Sequence, residues 1–475
     1  MDTSRQNEQL YRDSISTVDK DGKRVWVYPK KPKGKLHRGR VIVSVILLFL
    51  LFSGAFIKVN GMPLFLFNLF ERKFILFGMA FWPQDFFIFV LAMIAFVVFI
   101  ILFTVIYGRV WCGWACPQTI FMEMVFRKIE YWIEGDANQQ RKLKASPWNR
   151  QKILKKGGKH LIFGLLSLLI SHLLMAYLVG VEEVKEIISR PPTENLTGFI
   201  GLVVFTGIFY WVFAFFREQA CIAVCPYGRL QGVFLDKKSI VVAYDYLRGE
   251  KRVKLNKKAK VSLEASGEKA GDCVDCSLCV QVCPTGIDIR NGTQLECVNC
   301  TACIDACDQV MEKIGRPKKL IRYDSLIGIE TAKKWTFNPR IVAYTSILVL
   351  ILSVLTYLIA SRSDIETTIQ RVPGMLYQEQ ENGQISNLYN IQLVNKTFQD
   401  KIIRLQLKNH PDGTIRQVGS EGEILVKAGE LFTGVFFIEL PKKELNGMKS
   451  SLTIQVYQEN EIMDEVNTNF MGPAN

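Results

Sequence analysis

The stretch Cys273–Gly286 reads CVDCSLCVQVCPTG, and Cys297–Asp308, reading CVNCTACIDACD, follows it closely. Both runs have the spacing C-x-x-C-x-x-C-x-x-x-C, and thiolates spaced in this way hold cubane iron–sulfur clusters. A loop that turns every two residues brings three sulfurs around one cube, while the fourth reaches across to the partner cube. The reading therefore pairs Cys273, Cys276, Cys279 and Cys307 on one [4Fe-4S] cluster, and Cys297, Cys300, Cys303 and Cys283 on the other. Zinc also binds spaced thiolates, but two complete runs so close together favour iron–sulfur. One departure stands out: Asp308 occupies the place that Pro284 has in the first run, and its carboxylate is expected to lower the potential of the nearby cluster.

Outward from this domain the chain turns apolar. Five segments are long enough to cross a bilayer, which takes about 20 residues: Val41–Ile57, Phe86–Tyr107, Leu161–Val179, Leu196–Phe216 and Ile341–Ala360. The first is expected to remain as a span, because no small-residue cleavage site follows in LLFSGAFIKVNG. The net charge of +14 then reads as a topology signal. Lys30, Lys31, Lys33, Lys35, Arg38 and Arg40 precede the first span, and Arg127, Lys128, Arg141, Lys142, Lys144, Lys155, Lys156 and Lys159 lie before the third. Basic flanks stay in the cytoplasm, so the amino terminus and the cluster domain are expected inside and the chain beyond Ala360 outside. Basic residues spread along juxtamembrane loops, without one aromatic-lined face, exclude a nucleic-acid binder. Cluster cysteines in a reducing cytoplasm also argue against a disulfide framework.

The expected domains are a cytoplasmic arm (1–40), four spans with their loops (41–216), a cytoplasmic bacterial-type 2[4Fe-4S] ferredoxin domain (217–340), a fifth span (341–360) and an outer domain (361–475). The arm reads as polar and loose, except that RVWVYPKKPKGK could order against the membrane. The outer domain alternates apolar and polar residues in IIRLQLKN, GVFFIEL and SLTIQVYQ, with turn signals between. That pattern predicts an immunoglobulin-like β-sandwich, and without cysteine it must hold by packing alone.

A second cysteine pattern flanks the membrane. WCGWACPQT (Trp111–Thr119) follows the second span and ACIAVCPYG (Ala220–Gly228) follows the fourth, each with C-x-x-x-C-P spacing. Both spans run inward, so Cys112, Cys116, Cys221 and Cys225 leave the bilayer on one face and are able to converge. If each pair lies on a helical turn, its two thiols point the same way. Soft thiolates suit Cu(I) and favour reduction of Cu(II); the competing reading is four small residues buried at helix ends.

CPTGIDIRNGTQLECVNCTACIDACDQVMEKIGRPKKLIRY resembles the ferredoxin segment of the CcoG family, also called FixG or RdxA, accessory proteins of cbb-type cytochrome oxidases. YGRVWCGWACPQTIFMEMVFRKIE and FREQACIAVCPYGRLQGVFLD resemble the same family's membrane-edge motifs. The resemblance implies a protein of the bacterial cytoplasmic membrane that binds copper and reduces Cu(II) to Cu(I) with cluster electrons during oxidase maturation. It implies Cys112, Cys116, Cys221 and Cys225 as the reduction site. It also implies oxidase subunits, or copper chaperones and transporters, as partners, with the electron donor left open. NapH-type quinol dehydrogenases share helices, C-x-x-x-C-P pairs and a two-cluster domain, so quinol oxidation is an alternative, as is a non-catalytic assembly platform. The fifth span and outer domain favour the first reading. His160 and His172 are weaker candidates, since an isolated intramembrane histidine commonly bonds a neighbouring helix. Met122 and Met124 read as packing, and Tyr107, Trp111, Trp114 and Trp211 as an interfacial belt.

Overall fold

The computed structural model describes residues 17–473 apart from 19–20, 22, 60, 70–72, 83–84, 255–269, 333–338, 375, 381–382, 420–422 and 446. Five helices are long and apolar enough to cross a membrane: Lys35–Ser53, Phe86–Tyr107, Arg150–Val179, Leu196–Phe216 and Pro339–Ala360. The first begins at Lys35 rather than Val41, and the third at Arg150 rather than Leu161. Hydropathy marks only the apolar portion, whereas backbone hydrogen bonding continues through basic residues whose aliphatic stems pack well on a helix.

The described chain folds as two compact units. One holds the chain up to Ser53 with Leu91–Ala176 and Glu182–Leu352. Its membrane part is cemented by aromatic rings. Phe126 stacks on Phe213 at 4.8 Å and meets Phe163 edge-on at 4.7 Å, and Met122 is buried in the same cluster. The second and fifth spans pack through Leu102, Val105, Ile341 and Leu348.

The cluster domain belongs to this same unit. Val241–Tyr244 pairs antiparallel with Ile321–Asp324, and Val242, Ile287, Ile289, Ile304, Met311, Leu320 and Ile321 form its core. The arm differs from its expected looseness. The Lys30 amide donates to the Gln281 carbonyl at 2.7 Å, and the Leu36 and His37 amides donate to the Asp305 carboxylate at 3.2 and 2.7 Å. Asp305 lies between two cluster-run cysteines, so the first span starts on a carboxylate supplied by the cluster domain.

The other unit holds Gly54–Val90, Tyr177–Val181 and the chain from Ser353. The loop from Lys58 to Asp85 contains a three-stranded antiparallel sheet, Phe65–Asn68, Lys73–Leu76 and Met79–Phe81. The carboxyl-terminal domain is a sandwich. One sheet orders Thr414–Gln417, Leu431–Pro441, Gln384–Asn395 and Ile365–Arg371, with Gln378–Glu379 added on Gln384–Asn395; the other orders Ile424–Val426, Lys401–Leu407, Lys449–Gln458 and Glu461–Met471. Ile385, Tyr389, Ile391, Leu393, Ile403, Ile438 and Ile454 are fully enclosed between them. Buried Asp85 receives Arg362 at 2.5 Å and Lys396 at 2.7 Å, which ties the second span's start to this domain.

Phe126→Ala is expected to destabilise the membrane unit by about 3–5 kcal/mol, the usual cost of deleting a buried ring. Thermal unfolding in detergent should show a clear downward shift; an unchanged midpoint would mean that the surrounding rings close the cavity.

Candidate redox site at the membrane edge

The two cysteine runs fold by the same local rule. Asp275 and Ser277 have φ of 44° and 52°, and Asn299 and Thr301, at the matching positions, have 51° and 65°. These left-handed residues reverse the chain between successive thiols. Asp and Asn tolerate that region comparatively well, whereas β-branched Thr301 is there only because its surroundings hold it.

Two small pockets result. Cys273, Cys276, Cys279 and Cys307 line one. Cys283, Cys297, Cys300 and Cys303 line the other, with Cys279 between the two. Backbone amides of Thr285, Gly286 and Ile287 donate toward the Cys283 sulfur, and that of Asn299 toward Cys297. Amide donors around thiolate sulfur are one of the means by which proteins tune cluster potential. Burial pushes the thiols of Cys279, Cys297 and Cys307 up to about 12 and that of Cys300 up to about 11. Asp308 adds to the rise at Cys307 and accepts the Lys319 amide at 2.7 Å. Four thiols around each apolar pocket supply the ligand set of a cubane cluster.

The membrane-edge pairs repeat one another in space. Each preceding helix ends in a left-handed residue, Gly108 at φ 56° and Arg217 at φ 54°. Cys112 lies in the turn Val110–Trp114 and Cys221 in Ala220–Val224. Neither pair continues on one regular helix. Cys116 and Cys225 are extended (φ, ψ −62°, 125° and −65°, 109°) and cap the next helix, with Pro117 and Pro226 opening it. Their amides reach five residues back, to Trp111 and Ala220, at 2.9 Å each. Proline at the first helical position imposes this, since it lacks an N–H and restricts the residue before it to extended conformations. Burial pushes the Cys221 thiol up to about 12, with Cys116 the strongest neighbouring influence, and the Cys112 thiol up to about 11, opposed by Arg109.

The two cysteine systems adjoin. Cys112 and Cys221 share an apolar cluster with Cys300, Val282, Val298 and Ala302. Gly113 lies so close to the cluster loop that an added Cβ would stand 2.5 Å from the Val298 carbonyl oxygen and 2.7 Å from that of Asn299. Trp114 is not a lipid-facing belt residue: its indole donates to Tyr323 Oη at 3.2 Å, and Tyr323 donates to the Asn299 carbonyl at 3.1 Å. Trp111, Tyr107 and Trp211 remain exposed.

Two residues missed from sequence complete the site. Buried Arg109 donates to Gln231 Oε1 at 3.0 Å and also to the Leu295 carbonyl, and Cys112 Sγ donates to the same Gln231 oxygen at 3.1 Å. Gln231 lies six residues beyond Cys225, between the second pair and the first, where spacing carries no signal. His160 Nδ1 bonds Tyr210 of the fourth span at 2.8 Å, and His172 bonds its own helix at Leu168; neither reaches the cysteines.

A membrane-embedded ferredoxin with a carboxyl-terminal β-sandwich is thus the class that fold and site define. Residues 216–326 match the 4Fe-4S dicluster domain family, 89–135 a 4Fe-4S binding domain, and 355–473 the IG-like fold at the carboxyl terminus of FixG. Nitrogen fixation protein FixG of Rhizobium meliloti is 32% identical over 439 residues, covering 84% of this chain and 82% of that protein. Protein RdxB of Cereibacter sphaeroides is 32% identical, with 88% and 89% covered, and RdxA of the same organism is 34% identical, with 70% and 71% covered. The chain belongs to the FixG family, as a multi-pass iron–sulfur electron-transfer protein with two [4Fe-4S] clusters.

Gly113→Ala should push the Val298–Asn299 backbone away and lower the iron retained per chain. Full iron content, with an unaltered electron paramagnetic resonance spectrum, would show that the loop can yield.

Proposed function

We propose that this protein reduces Cu(II) to Cu(I) at Cys112, Cys116, Cys221 and Cys225, in support of cbb-type oxidase assembly. The observation that carries the reading is the shared packing of Cys112 and Cys221 with Cys300. It sets Cys112 and Cys221 in one apolar cluster with Cys300, which lines the second cluster pocket. Cys273, Cys276, Cys279 and Cys307 hold one cluster, and Cys283, Cys297, Cys300 and Cys303 the other. Bound clusters supply electrons one at a time at low potential.

The remaining chemistry belongs to the chain. Copper is the substrate, and each Cu(II) that becomes Cu(I) takes one electron. Buried thiols at Cys112 and Cys221 are neutral near pH 7, so binding releases protons. Soft sulfur stabilises Cu(I) over Cu(II), which raises the driving force for the electron to arrive. Apolar neighbours such as Val298 and Ala302 exclude water that would compete as a hard ligand.

In the orientation that goes with this, the cysteines face the cytoplasm and the sandwich faces outward. The grouping of Gly54–Val90, Tyr177–Val181 and the carboxyl-terminal domain in one unit supports it, because these are the segments that the basic-flank rule assigns to one side. Reporter fusions after Lys142 should register cytoplasm and a fusion after Ser363 the outside; a cytoplasmic signal at Ser363 would reverse the arrangement.

Replacing Cys112, Cys116, Cys221 and Cys225 by serine should leave about eight iron atoms per chain, as two cubanes require, yet remove Cu(I) formation when Cu(II) is added anaerobically to reduced protein. Stoichiometric Cu(I), captured by a chelator at the wild-type rate, would refute the site. Cys276→Ser or Cys300→Ser should give the opposite pattern: copper still binds at the membrane edge, but iron content and the electron supply fall.

A further inference from the structure

We propose that the buried Glu130–Arg217 ion pair, closed over by Arg24 and Trp26 of the amino-terminal arm, is a clamp that sets the distance between the two Cys-x-x-x-Cys-Pro segments. The proposal rests on the copper reading for its purpose, but not for its geometry.

The clamp joins chain on both sides of the site. Glu130 stands on the helical stretch that begins at Pro117, directly after Cys116. Arg217 stands four residues before Cys221. Its guanidinium donates to both oxygens of Glu130, at 3.2 and 2.8 Å, and its side chain is 4% exposed. Its carbonyl accepts Gln118 Nε2 at 3.4 Å, and Gln118 is the second residue after Cys116. Arg217 itself has φ 54° and ψ −121°, a backbone that a bulky residue rarely adopts. A side chain bonded twice, in the fork-on-fork manner of arginine and carboxylate, is what holds it there.

Neighbouring charges complete the group. Glu218 receives Arg24 at 2.8 Å and Arg127 at 3.6 Å. Lys159 lies 3.5 Å from Glu130 and 2.9 Å from Glu134, and Lys156 lies 2.9 Å from Glu134. Arg127 also pairs with Glu123. Burial alone would raise the Glu130 carboxyl, but Arg217, Lys159 and Arg127 outweigh it and hold it below its ordinary range. The Trp26 ring lies between two guanidinium groups, 4.6 Å from Arg24 and 5.0 Å from Arg217. Arg24 also donates to the Phe215 and Phe216 carbonyls, at the end of the fourth span.

Stability is a poor reason for such a group, because burying ion pairs costs desolvation that apolar residues would avoid. Geometry is a better one. Apart from their packing and the hydrogen bonds of Cys112 and Arg109 to Gln231, the two cysteine pairs share no strand, helix or disulfide, and a metal site must be positioned to a fraction of an ångström. Glu130 and Arg217 are positioning residues here, since neither touches the thiols.

The test uses the full-length protein, with clusters, in detergent. Arg217→Gln, Arg217→Lys and the doubly neutral Glu130→Gln/Arg217→Gln variant are compared with wild type by two readouts. The first is cross-linking of Cys116 to Cys221 by a short bis-maleimide, mapped by mass spectrometry. The second is Cu(I) affinity by chelator competition. The clamp predicts loss of the cross-link in the glutamine variants, partial retention in the lysine variant, which keeps charge but not the fork, and at least a tenfold loss of Cu(I) affinity at unchanged iron content. The double variant leaves no lone buried charge, so it answers the question if Arg217→Gln fails to fold. Wild-type cross-linking in the double variant, whatever its melting temperature, overturns the clamp. Loss of the cross-link in a protein whose wild type binds no Cu(I) supports the clamp and refutes only the copper reading.

Discussion

The close approach of Gly113 to the Val298 and Asn299 carbonyls is the contact on which the rest of the site depends. It joins the turn after the second span to the loop that carries Cys297 and Cys300. A side chain at this position would hold the two backbones apart and open the apolar cluster in which Cys112, Cys221 and Cys300 meet. Arg109 secures one side of the contact through Leu295, and Trp114 the other through Tyr323. The cluster domain is therefore built into the membrane unit and is not a tethered appendage. Its contribution to the site is a wall, not merely a supply of electrons.

Two kinds of cost accompany this construction. The first is backbone strain, at Asp275, Ser277, Asn299 and Thr301 in the cluster loops and at Arg217 beside the second pair. Residues held in unfavoured conformations persist only where their surroundings over-determine them. The second is buried charge. Arg127, Glu130, Glu134, Arg217 and Glu218 are almost wholly removed from solvent, and each is compensated by partners from another segment. Both costs concentrate around the cysteines, where a fixed arrangement has chemical value. The carboxyl-terminal sandwich has an enclosed aliphatic core, and its largely buried cations, Arg362 and Lys396 on Asp85, lie at one end of it.

The amino-terminal arm has a larger part than its composition suggests. Its amides bind Gln281 and Asp305, its Tyr28 and Pro29 carbonyls accept from Arg141 and Tyr131, and Arg24 reaches Glu218. One extended segment thus touches the cluster domain, the amphipathic helix after the first cysteine pair and the chain before the second. A polar stretch with no periodicity forms no structure by itself, but its backbone donors and acceptors pair readily when other elements present partners.

What the sequence determined alone is whatever a local pattern encodes. Hydropathy over about 20 residues marks a span, two-residue alternation marks the sandwich strands, and repeated cysteine spacing marks the cluster runs. Each of these signals lies within one short window, which is why the bounds of the second and fourth spans, Phe86–Tyr107 and Leu196–Phe216, were legible to the residue. The tertiary structure decided the remainder. The Glu130–Arg217 pair, the Asp305 cap on the first span, the role of Trp114 and the place of Gln231 all join residues distant in the chain. Even the form of each C-x-x-x-C pair differs from a simple helical turn, because the proline after the second cysteine ends one hydrogen-bond ladder and starts another. Spacing encodes which residues have the right chemistry; only the packing of separate segments brings them within reach of one another.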